Sequence, residues 1–299
     1  MSSPSFARVV VLIPCLLGLA VVSPVERAPA QSLGGMIERN VRNSVGDIWG
    51  VWVSPVHAKP RDWLLTVGAF GLAAAVSPLD DEVDRWAVRH RDDNGLDFLS
   101  PFREGGDAFS GKTVTPIAAG VLVLSFVTKN EKMQDGVFGC LSSYLASYGV
   151  RHFVAYPLVS RVRPDSSRSN PGPPAKQGDQ YEIDVPGGKD WGKRSFPGGH
   201  VANITTCASF LSKRFEMGVF EVVPWAIVGS VGVSRVLDRR HWLSDQTIGL
   251  LFGYAVGKEV AIRSLRRRGG SSSASSSDAS GVFLEPAQEG VRMGWRREF

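Results

Sequence analysis

The sequence predicts an all-α fold, a bundle of about six core helices followed by a short strand-like C-terminal tail. Long apolar segments rich in Ala, Leu, Val and Gly are separated by clusters of Pro and Gly, as in a helical bundle. The alternation of apolar and polar residues that marks strands is largely absent before the C-terminus. A chain of 299 residues is also long enough to bury one substantial core. The predicted helices cover residues 63–76, 113–128, 136–159, 200–213, 219–236 and 242–263.

The N-terminal thirty residues have the layout of a secretory signal peptide. Arg8 precedes an apolar run from Val9 to Val22, and the small-residue pattern around Ala30 suits cleavage after that residue. The alternative is a permanent membrane anchor, for which the apolar run is short. We therefore assign residues 1–30 to a signal peptide and residues 31–61 to an N-terminal linker region.

Export would place the chain in an oxidising compartment, most simply the periplasm. Cys140 and Cys207 remain in the mature chain, each within an apolar, helix-like run. Two buried free thiols are the favoured interpretation, and one disulfide is the alternative. The sequence contains no Cys-x-x-Cys pair and no other cluster of metal ligands, so we predict no metal site and no cofactor.

The predicted helices are apolar, yet most are poor candidates for spanning a bilayer. The run 113–128 is shorter than the ~20 residues that a bilayer core requires. The run 136–160 is interrupted by Arg151 and His152, and the run 219–236 contains Glu221. We therefore expect a soluble or peripheral bundle with apolar internal helices. A membrane-associated or membrane-embedded protein is the alternative.

The helical domain is predicted to cover residues 62–268 and to contain one long polar loop at 165–196. A Ser-rich linker at 269–281 separates it from a tail at 282–299, which we interpret as a short hairpin or strand. The net charge of +5 suits an anionic small molecule or an anionic lipid surface, and it is too small to indicate a nucleic-acid partner. The sequence does not address the oligomeric state.

Three polar residues stand at fixed offsets in the apolar stretch "SRVLDRRHWLSD" (234–245). Residues four apart share one face of a helix, so Asp245 is predicted to hold one imidazole nitrogen of His241. A carboxylate in that position fixes the tautomer and leaves the other nitrogen available as a nucleophile. Arg235 supplies a planar set of donors that suits phosphate oxygens.

A second stretch, "SFPGGHVANITTCASFL" (195–211), places a glycine turn before an apolar helix. The backbone N–H groups of Gly198 and Gly199, together with the helix N-terminus, are predicted to form an anion site. His200 at the edge of this site is suited to protonate a leaving oxygen. Taken alone, the pattern is also that of an ordinary glycine turn.

The third stretch, "YPLVSRVRPD" (156–165), is weak by itself. Arg161 and Arg163 are predicted to close a helix that Pro164 ends. Two arginines at a helix end commonly only compensate the helix dipole.

Together the three stretches resemble the type 2 phosphatidic acid phosphatase superfamily, which includes class A bacterial acid phosphatases and shares its fold with vanadium haloperoxidases. The signature of that family is Lys-x6-Arg-Pro, then Pro-Ser-Gly-His, then Ser-Arg-x5-His-x3-Asp. The resemblance covers residues 150–260 well and the preceding helices more loosely. The third motif matches completely, and the first two match in part, at Arg163, Pro164, Pro197, Gly199, His200, Ser234, Arg235, His241 and Asp245.

The chain departs from the family signature at two positions. Tyr156 stands in place of the lysine of the first motif, and Gly198 stands in place of the serine of the second. Because both family residues contact phosphate, each departure removes one expected contact. Three other arginines are candidates to compensate: Arg151, Arg161 and Arg240.

The resemblance implies a metal-independent phosphatase that hydrolyses a phosphomonoester or diphosphate, lipid phosphates included, through a phosphohistidine. It implies that His241 is the nucleophile, that Asp245 orients it, and that His200 is the general acid and base. The predicted phosphate-binding residues are Arg163, Arg235, Gly198, Gly199 and Tyr156. The partner would be a phosphorylated small molecule or lipid. The alternatives are a non-catalytic relative that binds phosphate or lipid headgroups, and a vanadate-dependent peroxidase.

Overall fold

A computed structural model describes residues 32–90, 111–164, 183–187, 193–272, 281–287 and 290–296. The predicted signal peptide, most of the predicted loop at 165–196 and residues 273–280 lie outside this set. The described part is helical apart from two small two-stranded sheets, which confirms the predicted all-α class. The chain separates into two compact units, Met1–Arg263 and Ser264–Phe299.

The helices of the described residues, in chain order, are α1 (Leu33–Val53), α2 (Pro60–Val76), α3 (Asp80–His90), α4 (Gly111–Val127), α5 (Glu131–Val150), α6 (Gly199–Phe215), α7 (Val222–Leu237) and α8 (Leu243–Ser272). Short 3₁₀ turns cover Ser54–His57, Ser77–Leu79 and Gly218–Glu221. Strand β1 (Ser160–Arg161) pairs antiparallel with β2 (Ile183–Asp184), and β3 (Gly281–Ala287) pairs antiparallel with β4 (Gly290–Arg296).

Helix α1 corrects the assignment of residues 31–61 to a linker region. Ser32 caps its N-terminus by accepting a hydrogen bond from the Gly35 N–H at 3.2 Å. Its buried face packs against α5, where the Asn40 side-chain amide donates to the Gln134 side-chain oxygen at 2.9 Å. Because this face contains polar residues, the spacing of apolar residues did not predict the helix. The hydrogen bonds of these polar residues form only when the two helices pack together.

The core lies among α1, α5, α6 and α8. Buried side chains from all four helices meet there, among them Val51, Ala146, Phe210 and Val260. A disulfide between Cys140 and Cys207 links α5 to α6, so the favoured interpretation of two free thiols is wrong and the alternative of one disulfide is correct.

Glycines spaced four residues apart allow α8 to approach α6 closely. A Cβ added at Gly249 would collide with the carbonyl oxygens of Pro197 and Gly198, and one added at Gly253 would collide with that of Ala202. At Gly257 it would collide with the carbonyl oxygen of Thr206. These three glycines form one face of α8, and the two backbones are in contact along it.

The apolar helix α2 is not internal, contrary to the expected bundle with buried apolar helices. Its large side chains face outward, with Trp63 53%, Leu64 71% and Phe70 53% exposed. The helical run Pro60–Arg89 is long and apolar enough to cross a membrane, and none of its most apolar part is buried. A second helical run that is long and apolar enough, Gly218–Leu237, is shorter, and 28% of its most apolar part is buried. Exposed apolar surface of this extent favours the membrane alternative over a fully soluble bundle.

The segment that carries Arg161 and Arg163 is extended, so the prediction that both close a helix is wrong. Helix α5 passes into a π turn at Arg151–Ala155 and one last helical turn at Tyr156–Leu158. Val159 then adopts φ −140° and ψ 127°, and Ser160–Arg161 form β1. There are two physical reasons: Ser160 and Arg161 pair with β2, and Pro164 disfavours the helical region for Arg163.

The C-terminal part begins with the end of α8, which continues to Ser272, into the segment predicted as linker from residue 269. Strands β3 and β4 form an antiparallel hairpin in which Gly281 pairs with Arg296 and Ala287 with Gly290. The prediction of a C-terminal hairpin or strand is confirmed.

The glycine face of α8 generates a stability prediction. Gly253→Ala should lower the free energy of unfolding, because the new methyl group meets backbone atoms of α6 that cannot move independently. The matched control is Gly229→Ala in α7, where a Cβ meets nothing within 4 Å. That control should be neutral or stabilising by up to about 1 kcal/mol. Thermal unfolding of both variants measures the difference, and equal stability would contradict close packing of α6 on α8.

Candidate active site

His241 lies in the turn between α7 and α8 and is 2% exposed. Its Nδ1 is 2.7 Å from the backbone carbonyl oxygen of Ser195. A carbonyl oxygen only accepts hydrogen bonds, so Nδ1 carries the proton and Nε2 carries the lone pair. The Nε2 atom lies 3.2 Å from Nδ1 of His200, an exposed residue in the first turn of α6. The two predicted catalytic histidines are therefore neighbours, and the nitrogen suited to attack is Nε2.

Asp245 does not contact the imidazole of His241, which corrects the predicted direct hydrogen bond. Its Oδ1 accepts from Arg161 Nη1 at 2.9 Å, and its Oδ2 accepts from the Ser195 hydroxyl. The prediction failed because α8 begins only at Leu243, so His241 precedes the helix and the four-residue spacing does not apply to it. Asp245 instead fixes the side chain of Ser195, whose carbonyl group holds His241.

Arg161 is enclosed by two carboxylates. Its Nη2 donates to Asp80 Oδ2 at 2.8 Å, and its Nη1 donates to both Asp245 and the Ser244 hydroxyl. The other oxygen of Asp80 accepts from the Ser244 N–H at 2.9 Å. All of these groups are buried. Since its charge is neutralised within the protein, Arg161 supports Asp245 and is not a cation available to phosphate.

A second buried pair ties the Arg163 segment to the turn that holds His241. Arg239 Nε and Nη2 donate to the two oxygens of Asp84 at 2.7 and 2.8 Å, and Nη2 also donates to the carbonyl oxygen of Pro164 at 2.9 Å. The indole N–H of Trp242 donates to the carbonyl oxygen of Val162 at 2.7 Å. These bonds hold the extended segment 162–164 against residues 239–242.

Sequence reasoning missed Asp80 and Asp84, which hold these two arginines from α3. Their four-residue spacing shortly after the predicted helix 63–76 was the available signal, since residues four apart share one face of a helix. The spacing does not identify the partners, which lie 81 residues away for Asp80 and 155 residues away for Asp84. Ser195 was also missed, since a backbone carbonyl group leaves no mark in a sequence.

The glycine turn before α6 has a different role for each of its two glycines. Gly198 has φ 68°, and its N–H donates to the Ser195 carbonyl oxygen at 2.9 Å. This corrects its predicted role as a phosphate donor, because the group is already used to fix the carbonyl that holds His241. Helix α6 begins at Gly199, and its first turn leaves backbone N–H groups without an intrahelical acceptor beside His200.

Glycine at position 198 has a local physical cause. The positive φ disfavours any residue with a Cβ, and a Cβ there would also collide with the carbonyl oxygen of Asp245. The departure from the family serine therefore fits the close approach of α8 in this chain. A serine introduced at this position would be strained rather than a simple restoration of a phosphate contact.

Positive charge surrounds the His241 ring. Burial lowers the pKa of His241 well below its usual 6.5, and the charges of Arg163, His200 and Arg235 lower it further, against the opposing effect of the Ser195 hydrogen bond. Burial raises the pKa of Asp245, while Arg161 and Ser195 act in the opposite direction. His241 is consequently neutral near pH 7, and the three predicted motifs converge around it.

Tyr156, at the position of the family lysine, is buried beside this turn. Its hydroxyl accepts a hydrogen bond from Arg151 Nη1 at 3.3 Å, and the guanidinium of Arg194 lies 5.2 Å from the centroid of its ring. A Cβ added at Gly199 would lie 3.2 Å from the Tyr156 hydroxyl. Tyr156 therefore adjoins the N-terminus of α6, as predicted for a residue of the site.

Comparison with known proteins gives the same family as the motifs. Residues 136–268 match the PAP2 superfamily, the type 2 phosphatidic acid phosphatases. The chain is 30% identical over 66 residues to a lipid A 1-phosphatase of Porphyromonas gingivalis, which is 21% of this chain and 15% of that protein. It is 35% identical over 82 residues to a probable diacylglycerol pyrophosphate phosphatase 1 of Schizosaccharomyces pombe, which is 23% of this chain and 29% of that protein. The chain thus spans less than a third of the length of either relative.

A solved structure is also similar, that of a transmembrane PAP2 type phosphatidylglycerolphosphate phosphatase from Bacillus subtilis. It has a TM-score of 0.42 and 18% sequence identity over 72% of this chain and 97% of that chain. The segment that matches the family contains all three motifs, from Tyr156 to Asp245. The resemblance predicted from the motifs is confirmed, because the PAP2 superfamily matches the part of the chain that carries them, residues 136–268.

Proposed function

We propose that this protein is a phosphatase of phosphorylated lipids that works without a metal ion, through a phosphohistidine at His241. The observation that carries the proposal is the state of His241. The ring is buried, its Nδ1–H is held by the Ser195 carbonyl oxygen, and its Nε2 lone pair points toward His200. A neutral imidazole fixed in one tautomer among positive charges is suited to attack an electrophilic phosphorus atom.

In the first step, His241 Nε2 forms a bond to phosphorus as the bond from phosphorus to the leaving oxygen breaks. The leaving oxygen takes a proton from His200, which is exposed at the mouth of the site. The phosphoryl group must displace His200 from its contact with Nε2, because the two nitrogens are 3.2 Å apart. The imidazole that becomes positive in this step is oriented throughout by Ser195.

In the second step, a water molecule gives a proton to His200 and attacks the phosphorus, and the N–P bond to His241 breaks. Inorganic phosphate leaves and both histidines return to their starting states. Charge on the equatorial oxygens is largest during each transfer, and Arg163, Arg235 and the first turn of α6 supply the positive potential there. Asp245 positions Ser195 and has no proton to transfer in this scheme.

The lipid character of the substrate rests on the surface of the protein and on the names of its relatives. Helix α2 exposes tryptophan, leucine and phenylalanine side chains along its whole length, and the run Gly218–Leu237 has a similar composition. A surface of this kind is stable against acyl chains, and the two relatives are named for lipid A and diacylglycerol pyrophosphate. We infer that the protein is embedded in a membrane or bound to it. The Cys140–Cys207 disulfide supports a site on the oxidising side of that membrane.

Replacing the nucleophile tests the proposed activity. His241→Gln should lower kcat/KM for phosphatidic acid or diacylglycerol pyrophosphate in mixed micelles by at least roughly 1,000-fold. The matched control is His57→Gln, which changes an exposed histidine of a 3₁₀ turn and should leave the rate unchanged. Release of inorganic phosphate measures both. Chelators should leave the wild-type rate unaffected, and a loss in EDTA that a divalent metal ion restores would contradict metal independence.

The lowered pKa of His241 gives a pH prediction. Protonation of Nε2 removes the nucleophile, so the acid-side fall of kcat/KM should lie below pH 6.5. Titration of the histidine ring carbon by NMR, assigned with His241→Gln, should give a midpoint below the usual imidazole value. Arg163→Gln should raise this midpoint, since one neighbouring positive charge is removed. A wild-type midpoint at or above 6.5 would show that burial and the neighbouring arginines do not lower the pKa of His241.

A further inference from the structure

Arg151 is a buried cation with no carboxylate partner among the described residues. Arg151 is only 3% exposed, and no acidic group of the described residues lies within ion-pair distance of its guanidinium. Two other buried arginines differ in this respect, since Arg161 pairs with Asp80 and Asp245 and Arg239 pairs with Asp84. A buried guanidinium without an anion is costly, so such a group calls for an anion that binds from outside.

Neutral groups hold the Arg151 guanidinium in place. Nη1 donates to the Tyr156 hydroxyl at 3.3 Å, and Nη2 donates to the side-chain oxygen of Asn203 on α6. The π turn at Arg151–Ala155 makes the first contact feasible, because its wider winding brings residues five apart to one side of the helix. These two hydrogen bonds orient the guanidinium, and no carboxylate of the described residues compensates its charge.

The guanidinium lies against the first turn of α6. A Cβ added at Gly199 would collide with Arg151 Nη1, so the two residues are in contact. His200 follows Gly199 directly, and Asn203 is one turn further along the same helix. The charge of Arg151 and the backbone N–H groups of this turn therefore lie at the same end of α6, next to the general acid and base of the proposed reaction.

We propose that Arg151 binds the phosphoryl group of the substrate and supplies the charge that Tyr156, at the lysine position of the first motif, does not carry. Tyr156 and Asn203 are its positioning residues. The inference rests on the proposed function in one respect, that the anion is the phosphoryl group to be transferred. Arg161 does not take this role, because Asp80 and Asp245 neutralise it. Because a guanidinium and a helix turn present several N–H donors, we expect this site to prefer an anion with several oxygen atoms.

The test compares Arg151→Gln with the same substitution at a largely buried arginine that has a carboxylate partner, in the detergent-solubilised full chain. Arg151→Gln should weaken inhibition by orthovanadate and inorganic phosphate, and lower kcat/KM, by roughly 10- to 100-fold, the range for one charge-assisted hydrogen bond. Arg214→Gln in the last turn of α6 removes a guanidinium whose side chain is 10% exposed and pairs with Asp135 at 2.6 Å. It should lower the Tm in phosphate-free buffer but leave the inhibition constants unchanged.

Two further variants separate binding from folding. Arg151→Lys keeps a positive charge, so it should retain more phosphate affinity than Arg151→Gln and fold if the glutamine variant does not. Tyr156→Phe removes one positioning hydrogen bond and should raise KM less than Arg151→Gln does. The rise in Tm that phosphate produces should follow the same order, because a ligand stabilises the folded state in proportion to its affinity.

The outcomes distinguish this inference from the proposed function. If the wild type hydrolyses lipid phosphates and Arg151→Gln binds vanadate and phosphate as tightly as the wild type, the role of Arg151 is wrong and the function stands. Weakening of inhibition to the same extent in Arg151→Gln and Arg214→Gln would overturn it as well. If the wild type hydrolyses no phosphate ester but phosphate raises its Tm only when Arg151 is present, the anion site is supported and the proposed catalysis fails.

Discussion

The close contact between the backbones of α6 and α8 is the constraint on which the rest of the site depends. Three glycines of α8 allow it, and the first of them, Gly249, lies against the carbonyl groups of Pro197 and Gly198. Asp245 is one turn earlier on the same face of α8, and this places its carboxylate on Ser195. The Ser195 carbonyl then fixes the His241 ring. The close packing of α6 on α8 therefore determines the orientation of the His241 imidazole.

The four arginines of the segment 161–163 and of residues 235–239 fall into two groups with different tasks. Arg161 and Arg239 are neutralised by carboxylates of α3 and join α3 to the turn that holds His241. Arg163 and Arg235 act on the His241 ring and lower its pKa. The first group makes the site rigid at the cost of burying ion pairs, which gives orientation more than stability. The second group creates the positive potential that a phosphoryl group requires.

The sequence was sufficient for the all-α class, for helices α6 to α8 and for the motif residues that meet at His241, because apolar periodicity and motif spacing are local properties. It was insufficient wherever a partner lies far along the chain. The polar face of α1 can be explained only by its contact with Gln134 on α5, and the burial of Asp80 only by its ion pair with Arg161. The direct contact predicted between Asp245 and His241 assumed a continuous helix, whereas α8 starts two residues after the histidine. The pairing of Cys140 with Cys207 likewise needed the packing of α5 on α6.

The covalent intermediate can be identified on the protein itself. Enzyme in excess over a lipid phosphate would be quenched with base within one turnover, since phosphohistidine is labile in acid, and its peptides examined by mass spectrometry. We expect a phosphoryl group on the imidazole ring of His241 in the wild-type peptide, and no phosphoryl group on the corresponding peptide of the His241→Gln variant. Phosphate released at the full rate with no adduct, or an adduct on His200 or on a hydroxyl group, would contradict the assignment of His241 Nε2 as the nucleophile.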